Sequence, residues 1–200
     1  MNFLAHEFLS QKNKELRVGN FLADFIRGND LEKYPKGIKK GVLLHRKIDS
    51  YTDSPPVVNQ SKKRIYPFQR KYTAVVMDIY YDYLLAKNWG KFSNENLKDF
   101  ASSVYDDFDE LQVHFPEKVV AILPNMRKND WFYNYQFYWG IEKALLSIEK
   151  RAHYSNNIGK ALLHLQENEK ELEQDFLAFF PDLIQCCEDF ILNYDVNEID

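Results

Sequence analysis

The chain has 200 residues, which fits one domain, and 45% of them are hydrophobic, enough to build a full core. A formal net charge of −4 gives no general attraction to nucleic acid, so we expect no nucleic-acid partner. The two cysteines are sequence neighbours, which is poor geometry for a disulfide, and no 18 apolar residues run together. We therefore expect a soluble, cytoplasmic protein without a membrane partner.

Apolar residues recur at helical spacing almost throughout the chain, and the segments between them have the composition of loops rather than hairpin turns. The pattern predicts an all-α fold, a single-domain helical bundle over residues 1–200. Asn2 is a candidate N-cap for the first helix, and Pro35 suits the opening of the third. Gly28 and Asn29 are typical residues to close the second. The predicted helices cover about 3–9, 18–27, 35–52, 56–66, 72–88, 94–111, 116–126, 131–150, 156–167 and 169–193.

Several residues that can ligate a metal lie at helical spacing inside these apolar segments. They are His6, Asp24, His45, Asp49, Asp53, Asp78 and Asp82. A helix normally excludes ionisable groups from its apolar stripe, because an unpaired buried charge costs several kcal/mol. Repeated exceptions indicate a common partner, and a cation is the simplest one.

The third predicted helix carries the strongest pair. His45 and Asp49 are four residues apart and share a face with Ile38, Val42 and Thr52, so their side chains project together. Imidazole nitrogen combined with carboxylate oxygen suits manganese, iron or zinc. His6, in a short and strongly apolar helix, is a candidate third ligand.

Two carboxylates, Asp78 and Asp82, are one turn apart on the predicted helix 72–88. They repel each other unless something positive lies near, so a metal or an arginine such as Arg46 is implied. Asp24 is a candidate ligand or a base that orders water, and its alternative is a salt bridge to Arg27 or Arg46. Asp53 also has an ordinary alternative, as the residue that ends its helix.

The sequence has no G-x-S-x-G elbow, no phosphate-binding glycine loop and no H-E-x-x-H motif, which leaves metal-assisted hydrolysis as the chemistry to consider. Divalent ions supply both electrophilic charge and hydroxide at neutral pH, as phosphodiester cleavage requires. Arg27 and Arg46 each lie beside a candidate ligand and could hold a phosphate with two hydrogen bonds.

Two further segments have both a functional and an ordinary interpretation. The aromatic run at 131–139 could wall a ligand groove or simply fill the core. A basic group could meet an acidic partner or be a solvated surface. It consists of Lys62, Lys63, Arg64, Arg70 and Lys71.

Four segments carry a resemblance to a known family. They are Met-Asn-Phe-Leu-Ala-His at 1–6, Gly-Asn-Phe-Leu-Ala-Asp-Phe-Ile-Arg-Gly at 19–28, His-Arg-Lys-Ile-Asp-Ser-Tyr-Thr-Asp at 45–53, and Met-Asp-Ile-Tyr-Tyr-Asp at 77–82 with Trp89. In these motifs the chain closely resembles the acyl carrier protein phosphodiesterase family. The likeness extends over essentially the whole chain and thins after residue 90, where Trp131, Arg151 and 179–181 fit.

The resemblance implies a manganese-dependent hydrolase that removes 4′-phosphopantetheine from the serine of holo acyl carrier protein. Magnesium or Fe²⁺ are the other cations we consider. The family is placed near the helical HD-type metal phosphohydrolases, although this chain has no adjacent His-Asp pair. The family's motif positions fall on His6, Asp24, His45, Asp49, Asp78 and Asp82.

Two other functions remain open at this point. One is a phosphoesterase for a small pantetheine-like or nucleotide-like substrate. The other is a non-catalytic helical module that binds a carrier protein without cleaving it.

Overall fold

A computed structural model describes residues 1–26 and 31–194 of the protein. These residues form one all-helical domain without a strand, as the hydrophobic pattern predicts. No helix among them is long and apolar enough to cross a bilayer. The α-helices are α1 (Phe3–Leu9), α2 (Lys14–Leu22), α3 (Lys36–Thr52), α4 (Pro56–Gln69), α5 (Thr73–Lys87), α6 (Leu97–Leu111), α7 (Glu117–Val120), α8 (Leu123–Lys128), α9 (Trp131–Asn134), α10 (Tyr138–Arg151) and α11 (Ala161–Asn193).

Helices α3 and α5 lie where the sequence predicts them. Pro35 precedes α3 and ends the preceding loop, as expected of a residue with a fixed φ and no N–H. On α3 the side chains of Ile38, Val42, His45 and Thr52 are buried together, which confirms the predicted face.

The second helix differs from its prediction at both ends. It begins at Lys14 because the side chain of Asn13 accepts hydrogen bonds from the backbone N–H groups of Glu15 and Leu16, both at 3.1 Å. It ends at Leu22 and continues as a 3₁₀ turn over Ala23–Phe25. The predicted closing residues, Gly28 and Asn29, lie outside the described residues.

Later segments also depart from the sequence pattern. The predicted helix 56–66 extends through Pro67 to Gln69, and the predicted helix 116–126 is two short helices, α7 and α8. The predicted helix 131–150 is broken between α9 and α10. The two last predicted helices are one, α11, and Asn168 within it donates its side-chain amide to the carbonyl of His164.

Helix α5 lies at the centre of the domain and contacts α1, α4, α10 and α11. It is buried almost all round, including Ile79, Tyr80, Tyr81 and Leu84. Polar residues on the buried faces of such a helix must find partners within the protein.

Helices α2 and α3 form the most extensive helix pair of the domain, and two glycines let them approach closely. A Cβ atom on Gly19 would lie 2.1 Å from the carbonyl oxygen of Ile38, and one on Gly41 would lie 2.4 Å from that of Leu16. The backbones therefore meet without side chains between them, just before Asn20 on α2 and His45 on α3.

Candidate metal centre

Three predicted ligands, one from α1 and two from α3, lie together beside α2, the helix that contacts both. His6, His45 and Asp49 each offer a ligand atom, and these atoms lie within 4.8 Å of one another. Nε2 of His6 is 3.3 Å from Oδ1 of Asp49, and Nε2 of His45 is 3.2 Å from Oδ2. The two imidazole rings are stacked, with centroids 4.1 Å apart and planes inclined by 16°. We call these three residues the histidine cluster.

A buried amide that the sequence reasoning did not single out holds both imidazoles. Oδ1 of Asn20 lies 2.7 Å from Nδ1 of His6 and 3.1 Å from Nδ1 of His45. The backbone oxygen of Asn20 is a second partner for His45, at 2.9 Å from Nδ1. The sequence signal was weak, because a neutral amide in an apolar helix has no charge that demands a partner.

These contacts determine which imidazole nitrogen carries the proton. Carbonyl oxygens only accept hydrogen bonds, so Nδ1 donates in both rings, and each neutral imidazole presents the lone pair of Nε2. Burial and the nearby His45 lower the pKa of His6 to about 4, so that ring is neutral at physiological pH. Nε2 of His6 is buried and makes no hydrogen bond.

The histidine cluster therefore collects acceptors around a common point. Two nitrogen lone pairs and a carboxylate face one another, and such a set is relieved by a positive charge between them. Imidazole nitrogen with carboxylate oxygen is a donor set that fits manganese, iron or zinc. The residues present thus fit the divalent cation that the sequence implies.

Asp24 and Asp78 lie at the edge of the histidine cluster. Oδ1 of Asp24, on the 3₁₀ turn after α2, is 3.7 Å from Nε2 of His45. Its side chain is about half exposed, and desolvation raises its pKa. Asp78 on α5 has its Oδ1 3.0 Å from the amino group of Met1, which is also 3.5 Å from Asp49. The carboxylate of Asp78 is thus already paired with the amino group of Met1.

Asp82 is fully buried, and its contacts are those of a helix cap. Oδ2 accepts from the backbone N–H of Leu4 at 2.8 Å and from Nδ2 of Asn2 at 3.1 Å, while Oδ1 accepts from the N–H of Ala5 at 3.0 Å. Burial raises its pKa to about 7, against the opposing effect of these donors. Asn2, the predicted cap, makes no capping bond itself. These contacts favour capping of α1, and a ligand role for Asp82 stays a prediction.

Three predicted residues remain to be placed. Arg27 lies outside the described residues. Arg46 follows His45 on α3, with an exposed side chain. Asp53 is the C-cap of α3 and is 2.5 Å from Nζ of Lys62, in agreement with its ordinary interpretation.

Comparison with known proteins adds an independent observation. Residues 1–183 match the family model described as acyl carrier protein phosphodiesterase. The chain belongs to this family. It is 28% identical over 182 residues to the acyl carrier protein phosphodiesterase of Enterobacter sp. strain 638, covering 90% of this chain and 94% of that protein.

Other relatives with the same name agree. The protein of Yersinia pestis is 27% identical over 186 residues, and that of Escherichia coli O6:H1 is 25% identical over 186 residues. Each match covers 92% of this chain and 96% of the relative. No solved structure matches the chain, so the predicted likeness to HD-type phosphohydrolases stays a prediction.

The aromatic run of this phosphodiesterase family member divides between core and surface. Phe132 and Tyr135 are buried, and the hydroxyl of Tyr135 accepts a hydrogen bond from Nδ2 of Asn2 at 3.1 Å. Phe137, Tyr138 and Trp139 are partly exposed. The run is therefore neither purely core nor a continuous groove wall.

The predicted basic group divides in the same way. Lys62 is paired with Asp53, and Nη1 of Arg64 is 2.8 Å from Oδ2 of the buried Asp175. The other three members, Lys63, Arg70 and Lys71, have exposed side chains. We call these three the exposed basic group.

Proposed function

We propose that this protein is a metal-dependent phosphodiesterase that hydrolyses the phosphopantetheine–serine bond of holo acyl carrier protein and releases apo acyl carrier protein. The family membership supports the substrate class. The observation that carries the chemistry is the convergence of the Nε2 atoms of His6 and His45 on the carboxylate of Asp49, while both Nδ1 atoms face oxygen acceptors of Asn20. The amino group of Met1, 3.5 Å from Oδ1 of Asp49, is a positive neighbour of this set, whereas the Nε2 atom of His6 makes no hydrogen bond.

We propose that His6, His45 and Asp49 hold the cation, with manganese as the first candidate. A bound divalent cation supplies positive charge that polarises the phosphate and lowers the pKa of water. The two histidines come from α1 and α3, which both pack against α2, so this packing fixes the spacing of the ligands.

Asp24 is the residue that we expect to handle the proton. Its carboxylate lies beside His45 yet remains accessible to water, and its raised pKa makes it a better proton acceptor. In the reaction, the oxygen of water bonds to phosphorus and the phosphorus–oxygen bond to serine breaks. The serine oxygen leaves as a hydroxyl, and 4′-phosphopantetheine departs with the new oxygen.

Asp82 has a separate task in this proposal. Its three donors hold the N-terminus of α1, the helix that carries His6. It thus sets the position of one ligand without touching the cation.

Mass spectrometry of a holo carrier protein incubated with this protein and manganese tests the function. We expect loss of one phosphopantetheine mass, suppression by a chelator, and no turnover with His45→Ala. His153→Ala, which removes an exposed histidine outside the histidine cluster, is the control and should keep its rate.

The other outcomes separate the alternative functions. Cleavage of small phosphodiesters with an intact holo carrier would indicate a small-molecule phosphoesterase. Binding of the carrier without loss of mass would indicate a non-catalytic module. Unchanged turnover in His45→Ala would remove the histidine cluster from the reaction.

A further inference from the structure

The side chain of Asn20 is completely buried and contacts both histidines of the histidine cluster. Its Nδ2 donates to the backbone oxygen of His6 at 2.9 Å and lies 2.8 Å from Oγ of Ser10. Because the backbone oxygen of His6 only accepts, the amide cannot be flipped, and Oδ1 must face the imidazoles. The orientation of the amide is thereby fixed by the chain itself.

We infer that Asn20 is a positioning residue: its Oδ1 holds the Nδ1–H tautomer of His6, so that Nε2 keeps a lone pair for the cation. This inference rests on the proposed function. Without that acceptor, His6 would gain a hydrogen bond by moving its proton to Nε2 and donating to Asp49, 3.3 Å away. The proton would then occupy the place of the cation.

The two histidines do not depend equally on the Asn20 side chain. Nδ1 of His45 also has the backbone oxygen of residue 20 as an acceptor at 2.9 Å, and no side-chain substitution removes it. Nδ1 of His6 has only Oδ1 among the hydrogen bonds observed. His45 is therefore an internal control for His6 within one molecule.

Two substitutions separate positioning from packing. Asn20→Leu and Asn20→Asp both lose the donor to the His6 backbone, but only Asn20→Asp keeps an acceptor for the imidazoles. Ser10→Ala is the matched control, because it removes one contact of the same amide and leaves Oδ1 in place.

The first readout is nitrogen NMR of the imidazoles in metal-free protein at about pH 8, where free histidine is neutral. We expect Nδ1–H in both cluster histidines of the wild type. In Asn20→Leu, His6 should change to Nε2–H and His45 should not, and in Asn20→Asp both should stay. A wild-type His6 that carries its proton on Nε2 would overturn the inference, whether or not the variants fold.

The second readout is manganese affinity, measured by titration calorimetry without substrate. Loss of a residue that orients a ligand typically weakens metal binding about 10–100-fold, which is the effect we expect for Asn20→Leu. Asn20→Asp and Ser10→Ala should stay close to the wild type. Equal weakening in the Leu and Asp variants would overturn positioning in favour of a packing role. Absence of manganese binding by the wild type would contradict the proposed function, while the tautomers are still decided by NMR.

Discussion

The histidine cluster and the Asp175 ion pair are both polar contacts between helices. They differ in how many hydrogen-bond donors face the carboxylate. Asp175 on α11 accepts from Oγ of Ser61 and from Nη1 of Arg64, each at 2.8 Å, and both donors belong to α4. In the histidine cluster, Asp49 faces two imidazole nitrogens whose protons are engaged on the opposite side.

In our proposal, this difference separates a contact that holds the fold together from one that binds a ligand. A buried carboxylate with charged and hydroxyl donors is satisfied within the protein, and removing it leaves an uncompensated arginine. A carboxylate that shares a site with nitrogen lone pairs instead favours a bound cation. The two carboxylates also differ in exposure, since 47% of the Asp49 side chain is accessible against 11% of the Asp175 side chain.

The largest effects are expected when alanine replaces Asp49 in the histidine cluster or Asp175 in the ion pair. Asp49→Ala should lower turnover by at least about 100-fold, since it removes a proposed ligand. It should leave the free energy of unfolding of the metal-free protein within about 0.5 kcal/mol, because about half of the Asp49 side chain is already exposed to water. Enzyme kinetics and urea unfolding measure the two effects.

Asp175→Ala should give the reverse result. Breaking a buried ion pair costs about 3 kcal/mol of stability, and the metal ligands are untouched, so turnover per folded molecule should persist. If both alanine variants lost stability equally and kept their activity, the proposed contrast between the two places would be wrong.

Asp24→Asn tests the edge of the histidine cluster. The substitution keeps the size of the side chain and removes its charge, and we expect turnover to fall about 100-fold, as for the loss of a general base. Stability should hardly change, because the side chain is about half exposed. An unchanged rate would mean that Asp24 lies beside His45 without taking part in the reaction.

Asp82→Ala sharpens the comparison with a third carboxylate, one fully supplied with donors. It leaves two backbone N–H groups of α1 and the amide of Asn2 without their acceptor, which should cost about 2 kcal/mol in urea unfolding. In the folded variant we expect nearly unchanged manganese affinity. Lost metal binding with full stability would instead identify Asp82 as a ligand.

The smallest expected effect concerns docking of the acidic carrier protein. Lys63→Glu with Lys71→Glu, in the exposed basic group, should raise KM for holo carrier about 2–5-fold and reduce its dependence on salt. Arg64 is unsuitable for this test, since it neutralises Asp175. Lys128→Glu with Lys150→Glu, two exposed lysines on α8 and α10, is the charge-matched control. Cleavage of a small chromogenic phosphodiester should not change, and equal loss on both substrates would indicate damaged folding.

Helix α3 and its polar pair could be predicted because one face of α3 is buried and the other is exposed. Spacing then has a physical meaning, and His45 and Asp49 do lie together. On α5 helical spacing did not distinguish a buried face from an exposed one, because most of that helix is buried. Asp78 and Asp82, one turn apart, consequently meet different partners: the amino group of Met1 and the N-terminus of α1.

The parts of the structure that the sequence missed depend on hydrogen bonds rather than hydrophobic spacing. With Asn13 as its N-cap, α2 begins at Lys14, four residues before the predicted start, and α11 continues through Asn168, where the sequence predicts a break. Asn20 is invisible to a search for charge, although it contacts both histidines. Amides both donate and accept, so their roles depend on neighbours that a linear pattern does not reveal.

The contact between Gly19 and Gly41 limits how far α2 and α3 can move apart without disturbing the histidine cluster. The atom that a substitution would add to Gly19 lies 2.1 Å from a backbone oxygen of α3, so the helices would have to separate by about 1 Å to accept it. The hydrogen bond from His45 to the backbone of Asn20, at 2.9 Å, cannot stretch by that much and survive. A single methyl group on Gly19, outside the histidine cluster, should therefore displace His45 far enough to break its hydrogen bond to Asn20.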